Sequence, residues 1–168
     1  MSRSESIPTS VYQHIHAPRH LVYRALLDPV AVQQWMVPDG MSSDVHSFEA
    51  REGGTFRISL TYDAPTATGK TTAQTDTHHG RFVTLVPDER VVQAVEFETD
   101  DPSMQGQMLI TYVLADSAGG GTDLHAMHEH LPPGVSPEDN ATGWRMSLGK
   151  LARLFEGDSW RAGRLHTG

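Results

Sequence analysis

The sequence predicts an α+β domain in which a curved antiparallel sheet is covered by one long C-terminal helix. Three observations lead there. Apolar residues recur at every second position in runs between Val45 and His130, and turn-forming clusters separate those runs. After them comes an apolar stripe at helical spacing, Trp144, Leu148, Leu151 and Phe155. Consecutive strands joined by short turns make a meander, and a meander must bury one face against another layer.

Each element follows from local chemistry. Val11 to Ala17 alternates, with Val11, Gln13 and Ile15 on one side and Tyr12, His14 and His16 on the other, so a strand opens the fold. Pro18 ends it and suits a helix start. Leu21, Val22, Ala25 and Leu26 supply the helical spacing that follows, and Asp28 is placed to cap a second short helix through Val32 and Trp35. Pro38-Asp39-Gly40 closes that helix.

The sheet follows: Val45 to Ala50, the turn Gly53-Gly54, then Thr55 to Tyr62 with Phe56, Ile58 and Leu60 on one face. Asp63 to Thr77 reads as a polar loop whose later part can already be strand. Gly80 to Val86 and Val91 to Glu98 form strands around the turn Pro87-Asp88-Glu89-Arg90. Gln107 to Ala115 and Thr122 to His130 complete the set around Gly119-Gly120-Gly121. Ser136-Pro137-Glu138-Asp139 starts the last helix with a capping hydroxyl, an early proline and acids at the positive dipole end, and Gly157 marks its expected finish. Residues 9–157 form the expected single domain, with tails at 1–8 and 158–168 in which Trp160 is the candidate anchor.

Composition narrows the function classes. The 168 residues suit one domain. With 13 basic and 21 acidic residues the formal charge is 13 − 21 = −8, which argues against a nucleic-acid partner because phosphate binding needs a basic footprint. Protonating all 10 histidines would move that charge to +2. There is no cysteine, which excludes a disulfide, a thiolate metal site and a cysteine nucleophile. No apolar run has the length of a secretory signal or a membrane span, so a cytoplasmic protein without membrane insertion is expected.

Further matches carry a family resemblance. Leu21-Val22-Tyr23-Arg24-Ala25-Leu26-Leu27-Asp28-Pro29, followed by Trp35 and Pro38, resembles the start of an activator-of-heat-shock-ATPase-homologue (AHSA-type) domain. In the same order come Gly53-Gly54-Thr55-Phe56, Gly80-Arg81-Phe82-Val83 with Val86-Pro87, and Glu89-Arg90-Val91-Val92. Gly121-Thr122-Asp123-Leu124, His128-Glu129, Leu131-Pro132 and Gly143-Trp144 with Leu148 and Leu151 continue it, so the resemblance runs from Val11 to Phe155. It implies the helix-grip fold of the START/Bet v 1-like (SRPBCC) superfamily: a curved sheet gripping the C-terminal helix, with two short helices after the first strand. It implies no single activity, because that fold hosts lipid and hormone carriers, cyclases and ring-hydroxylase subunits. The family name points to a chaperone ATPase. In the eukaryotic co-chaperones, however, a separate N-terminal domain makes much of that contact and does not fit within this length. The expectation is therefore a stand-alone bacterial-type domain without a chaperone partner. A homodimer is compatible with the superfamily, though no interface stripe is legible.

A twisted sheet and a straight helix diverge in curvature, and the space left between them suits a small, largely apolar molecule. Alternation makes Phe56, Ile58, Met108, Ile110, Tyr112 and Leu114 inward-facing, with Leu124, Ala126 and His128 inward on the last strand. The expected lining is Trp35, Phe56, Ile58, Met108, Ile110, Tyr112, His128, Trp144 and Leu148, entered between the Asp63–Thr77 loop and the segment after Trp35. His128 is open to two readings: a ligand contact, or a core imidazole satisfied by Tyr112 or a backbone carbonyl. Met104, Met127 and Met146 could add to an adaptable lining.

Other chemistries are weaker. A cyclase- or hydrolase-like enzyme would use His128 with Tyr112, but Glu129 faces the other side of its strand and no paired carboxylate or nucleophile elbow is present, so no catalytic residue is assigned. An interaction module resembling the chaperone activators is the third reading. His78 and His79 must point opposite ways. His14, His16, His125 and Glu129 could meet across the first and last strands as an adventitious zinc or nickel site; no functional metal site and no cofactor are expected.

Overall fold

A computed structural model describes residues 8–63 and 75–156. It contains β1 (Thr9–Ile15), α1 (Arg19–Leu27), α2 (Pro29–Trp35), β2 (Met41–Phe48), β3 (Thr55–Tyr62), β4 (Thr75–Val86), β5 (Arg90–Phe97), β6 (Met108–Asp116), β7 (Thr122–Glu129) and α3 (Pro137–Arg153). The seven strands form one curled antiparallel sheet in the order β1-β7-β6-β5-β4-β3-β2, the helix-grip arrangement. Every neighbouring pair except β1–β7 is consecutive in sequence, so the meander grows one hairpin at a time and the first strand is then added beside the last.

The elements end where their residues dictate. Pro18 occupies the cap of α1 rather than its first turn, and no side chain caps that helix. Asp28 caps α2 by accepting from Val30 N–H at 3.0 Å. Ser136 caps α3 by accepting from Asp139 N–H at 3.2 Å, with Glu138 and Asp139 at its positive end and Lys150 and Arg153 at the other.

Three boundaries differ from the sequence reading by more than two residues. β2 begins at Met41, four residues before the expected Val45, because Met41-Ser42-Ser43-Asp44 is an edge segment with only every second side chain half-buried. β4 begins at Thr75, five residues before Gly80; its first turn of sequence is polar, yet Asp76 and Thr77 are buried there. α3 ends at Arg153, short of Gly157, which lies outside the described residues together with Trp160. Most of the expected entrance loop, residues 64–74, also lies outside them.

Curl comes from irregularities in pairing. Register shifts interrupt β2–β3 between Val45 and Ser47 and β4–β5 between Phe82 and Thr84, and such bulges increase local twist. Gly80 marks a close approach: a Cβ there would meet the Ala94 carbonyl and the ring of Phe56, so the backbone position admits only glycine without rearrangement. The concave face and the helices share one apolar core that includes Trp35, Phe82, Tyr112, Leu148, Leu151 and Phe155. α3 packs against β1 and α2, and its Lys150 Nζ donates to the Val37 carbonyl at 2.7 Å, tying it to the segment after α2.

Candidate functional site

Strand alternation delivers the inward set as expected. Phe56, Ile58, Met108, Ile110, Tyr112, Leu114, Leu124, Ala126 and His128 are all buried, as are Trp35 and Leu148 from the helices. Trp144 is partly buried and packs against the core.

These residues divide into two groups. Phe56 joins Phe48 and Phe82 at centroid distances of 6.0 and 5.3 Å, with His78 edge-on at 6.3 Å, toward the β2 side of the sheet. Trp35, Tyr112, Trp144, His128 and Met108 form the other group, between β6, β7, α2 and α3. Tyr112 stands edge-on to Trp35 at 6.3 Å and to Trp144 at 5.8 Å, and Trp144 stands edge-on to His128 at 5.9 Å. His128 pairs with Ile110 in the sheet register, so Tyr112, two residues on from Ile110, is its diagonal neighbour on the same face.

The polar atoms of this second group carry its chemistry. Trp35 Nε1–H donates to the Ala25 carbonyl at 3.1 Å and is a structural tie between α1 and α2. His128 Nδ1 receives the Trp144 Nε1–H at 3.0 Å and the Asn140 amide at 3.0 Å. The same amide also reaches Thr9 Oγ1 at 3.1 Å, which joins α3 to β1. His128 Nε2 lies 3.2 Å from the Met108 thioether, a weak acceptor. The Tyr112 hydroxyl is buried and has no hydrogen-bond partner among the described residues.

Both titratable groups are held neutral. Desolvation, reinforced by the neighbouring His78, lowers the His128 pKa to about 4. Burial raises the Tyr112 phenol above its ordinary value. A neutral imidazole with so low a pKa is a weak base near pH 7, and its hydrogen-bond partners among the described residues include no carboxylate. The group can therefore hold and orient a molecule more readily than it can move protons.

Comparison with known proteins assigns the chain to a family. The profile described as Activator of Hsp90 ATPase homolog 1-like protein matches residues 16–156. The chain belongs to this family. Protein CV1439 from Chromobacterium violaceum is 34% identical in sequence, with a TM-score of 0.79 over 90% of this chain and 98% of that one. A Rhodobacter sphaeroides protein is 21% identical, with a TM-score of 0.71 over 88% and 90% of the two chains. The AHSA1 protein from Silicibacter pomeroyi is 15% identical, with a TM-score of 0.71 over 88% and 96%. The last two likenesses show the fold alone. No match was found among the curated proteins.

For this family member, the structure corrects two expectations and adds two residues. The core partners of His128 are Trp144 and Asn140, where the sequence reading named Tyr112 or a carbonyl. The His14 and His16 rings stand edge-on at 4.7 Å, but His125 and Glu129 do not join them in a metal-holding cluster. The register sets His14 opposite Asp123, which its Nδ1 contacts at 2.9 Å, and sets His125 opposite Tyr12, on which it stacks. Among the described residues no group of three or more His, Asp or Glu side chains is placed to hold a metal ion. His78 and His79 do point opposite ways, toward Phe56 and toward Glu98 respectively. An open groove of about 410 Å³ lies outside the sheet beside His14, His16 and Gly119 to Gly121, away from the aromatic group. Asn140 and Thr9 were not foreseen. The one available signal was spacing: Asn140 stands four residues before Trp144 and so shares its face of α3.

Proposed function

We propose that this protein binds a small, largely apolar molecule between the concave face of its sheet and α3, with Trp35, Met108, Tyr112, His128 and Trp144 in contact with it. The carrying observation is the Tyr112 hydroxyl, buried with no hydrogen-bond partner among the described residues. An unmade hydrogen bond on a buried hydroxyl costs about 1–3 kcal/mol, so a native fold that keeps one commonly reserves it for a task. Its setting supports the reading: aromatic walls, a repacking methionine, and a second polar atom, His128 Nε2, facing that thioether. The rest of the lining in this reading is Phe56, Ile58, Ile110 and Leu148, all buried on the same concave side.

Turnover through a His128 base is less well supported, since its pKa is low and its Nδ1 already accepts two hydrogen bonds. Chaperone-ATPase activation rests on the family description alone.

The test is titration with N-phenyl-1-naphthylamine, an uncharged probe whose fluorescence rises in apolar surroundings. Saturation at one probe per chain is expected, with affinity reduced at least tenfold in Trp144→Ala. A signal that rises without saturating, or that ignores this substitution, would count decisively against an interior site.

A further inference from the structure

The hydrogen-bonding pattern around His128 fixes which of its nitrogens carries the proton. An indole N–H can only donate, so the nitrogen it reaches must offer a lone pair. Trp144 Nε1–H points at Nδ1, and the Asn140 amide approaches the same atom. Nδ1 is therefore the acceptor, and the ring proton resides on Nε2. Nε2–H in turn faces the Met108 sulfur, a poor acceptor on a side chain that repacks easily. The Tyr112 hydroxyl is the second unspent donor, and both rings stand against Trp144.

Resting on the ligand-site reading above, we infer that the occupant is an uncharged molecule carrying an acceptor oxygen, a ketone, ester or amide carbonyl. That oxygen takes hydrogen bonds from Tyr112 Oη–H and His128 Nε2–H, displacing the Met108 thioether. Two donors on adjacent strands, diagonal across one face, can converge on the two lone pairs of one carbonyl. The same pattern disfavours other headgroups. An ammonium brings donors to a site that offers donors. A carboxylate would enter apolar surroundings in which the α3 cations do not reach it, since Arg145 and Arg153 are exposed and Lys150 donates to the Val37 carbonyl.

Three probes of one shape separate these cases: 2-acetylnaphthalene, its carbon isostere 2-isopropenylnaphthalene, and 2-naphthoate, each displacing N-phenyl-1-naphthylamine at neutral pH. The ketone is expected to bind about tenfold tighter than the isostere, the size of one well-made hydrogen bond, and the carboxylate weakest. In Tyr112→Phe that preference should shrink to about threefold or less. The carbonyl stretching band of the bound ketone should lie at lower frequency in the native protein than in the variant. Tyr112→Phe removes only an unpartnered hydroxyl and is expected to fold, which its circular dichroism checks. Nitrogen NMR of the His128 ring supplies a second readout and should place the proton on Nε2. Equal binding of ketone and isostere, tighter binding of the carboxylate, or a proton on Nδ1 overturns this inference and leaves the ligand site itself standing. Failure of all the probes, N-phenyl-1-naphthylamine included, to saturate overturns both.

Discussion

His128 joins stability to pH through the burial that disfavours its charged form. Its folded-state pKa is about 4, against about 6.5 for an unperturbed histidine, so between those values the unfolded chain takes up a proton that the folded chain refuses. The contribution is therefore complete above about pH 6.5 and is lost as the pH falls toward about 4, roughly 3 kcal/mol in all. Protonation would also set a cation among Trp144, Met108 and the half-buried His78. The check compares urea unfolding of the wild type and His128→Asn at several pH values between 4 and 7. Asn retains an oxygen able to accept from Trp144, and the nine other histidines contribute to both proteins alike. The wild type should lose more stability across this window; parallel curves would show that the imidazole does not carry the effect. At this scale the sequence was informative about direction only. Alternation placed His128 and Tyr112 inward, because a strand leaves a side chain two choices. It could not place Asn140 against His128, since that contact depends on how α3 docks on β1.

Single elements were legible wherever pattern and punctuation agreed. β3 was read at Thr55–Tyr62, as observed, because Gly53-Gly54 precedes a clean alternation of Phe56 and Ile58 with Arg57 and Ser59. The start of β4 was less clear, because Thr75-Asp76-Thr77 carries no apolar signal, and Asp76 and Thr77 are buried through tertiary pairing with β3. Helix α2 has only seven residues and cannot nucleate alone, so its cap and its packing hold it. Asp28 satisfies Val30 N–H there, and α2 in turn delivers Trp35 to the aromatic group. Asp28→Ala should cost about 1 kcal/mol in urea unfolding, whereas Asp28→Asn, which keeps the acceptor, should cost only a few tenths. Equal losses in the two variants would point to the carboxylate's charge and not its capping bond.

Across the whole molecule, fold and charge act together. The helix-grip architecture was legible because it follows from element order: seven strands, two early helices and one late amphipathic helix have few ways to bury their faces. Function was not, since one fold hosts many activities and element order does not say which side chains a given member uses. Net charge gives the molecule a second pH response. It is −8 with neutral histidines and crosses zero as they titrate, with a pI near 5.6. Repulsion between molecules is weakest there, and that pH falls inside the window in which the His128 contribution is already declining. Both effects favour association, one by lowering the barrier to encounter and the other by populating opened chains. Light scattering against pH at low salt should therefore peak near 5.6. His128→Asn, which replaces an imidazole already neutral at that pH in the folded protein, should keep the position of that maximum and reduce its height. A maximum of unchanged height would assign the association to charge alone and leave the buried imidazole no part in it.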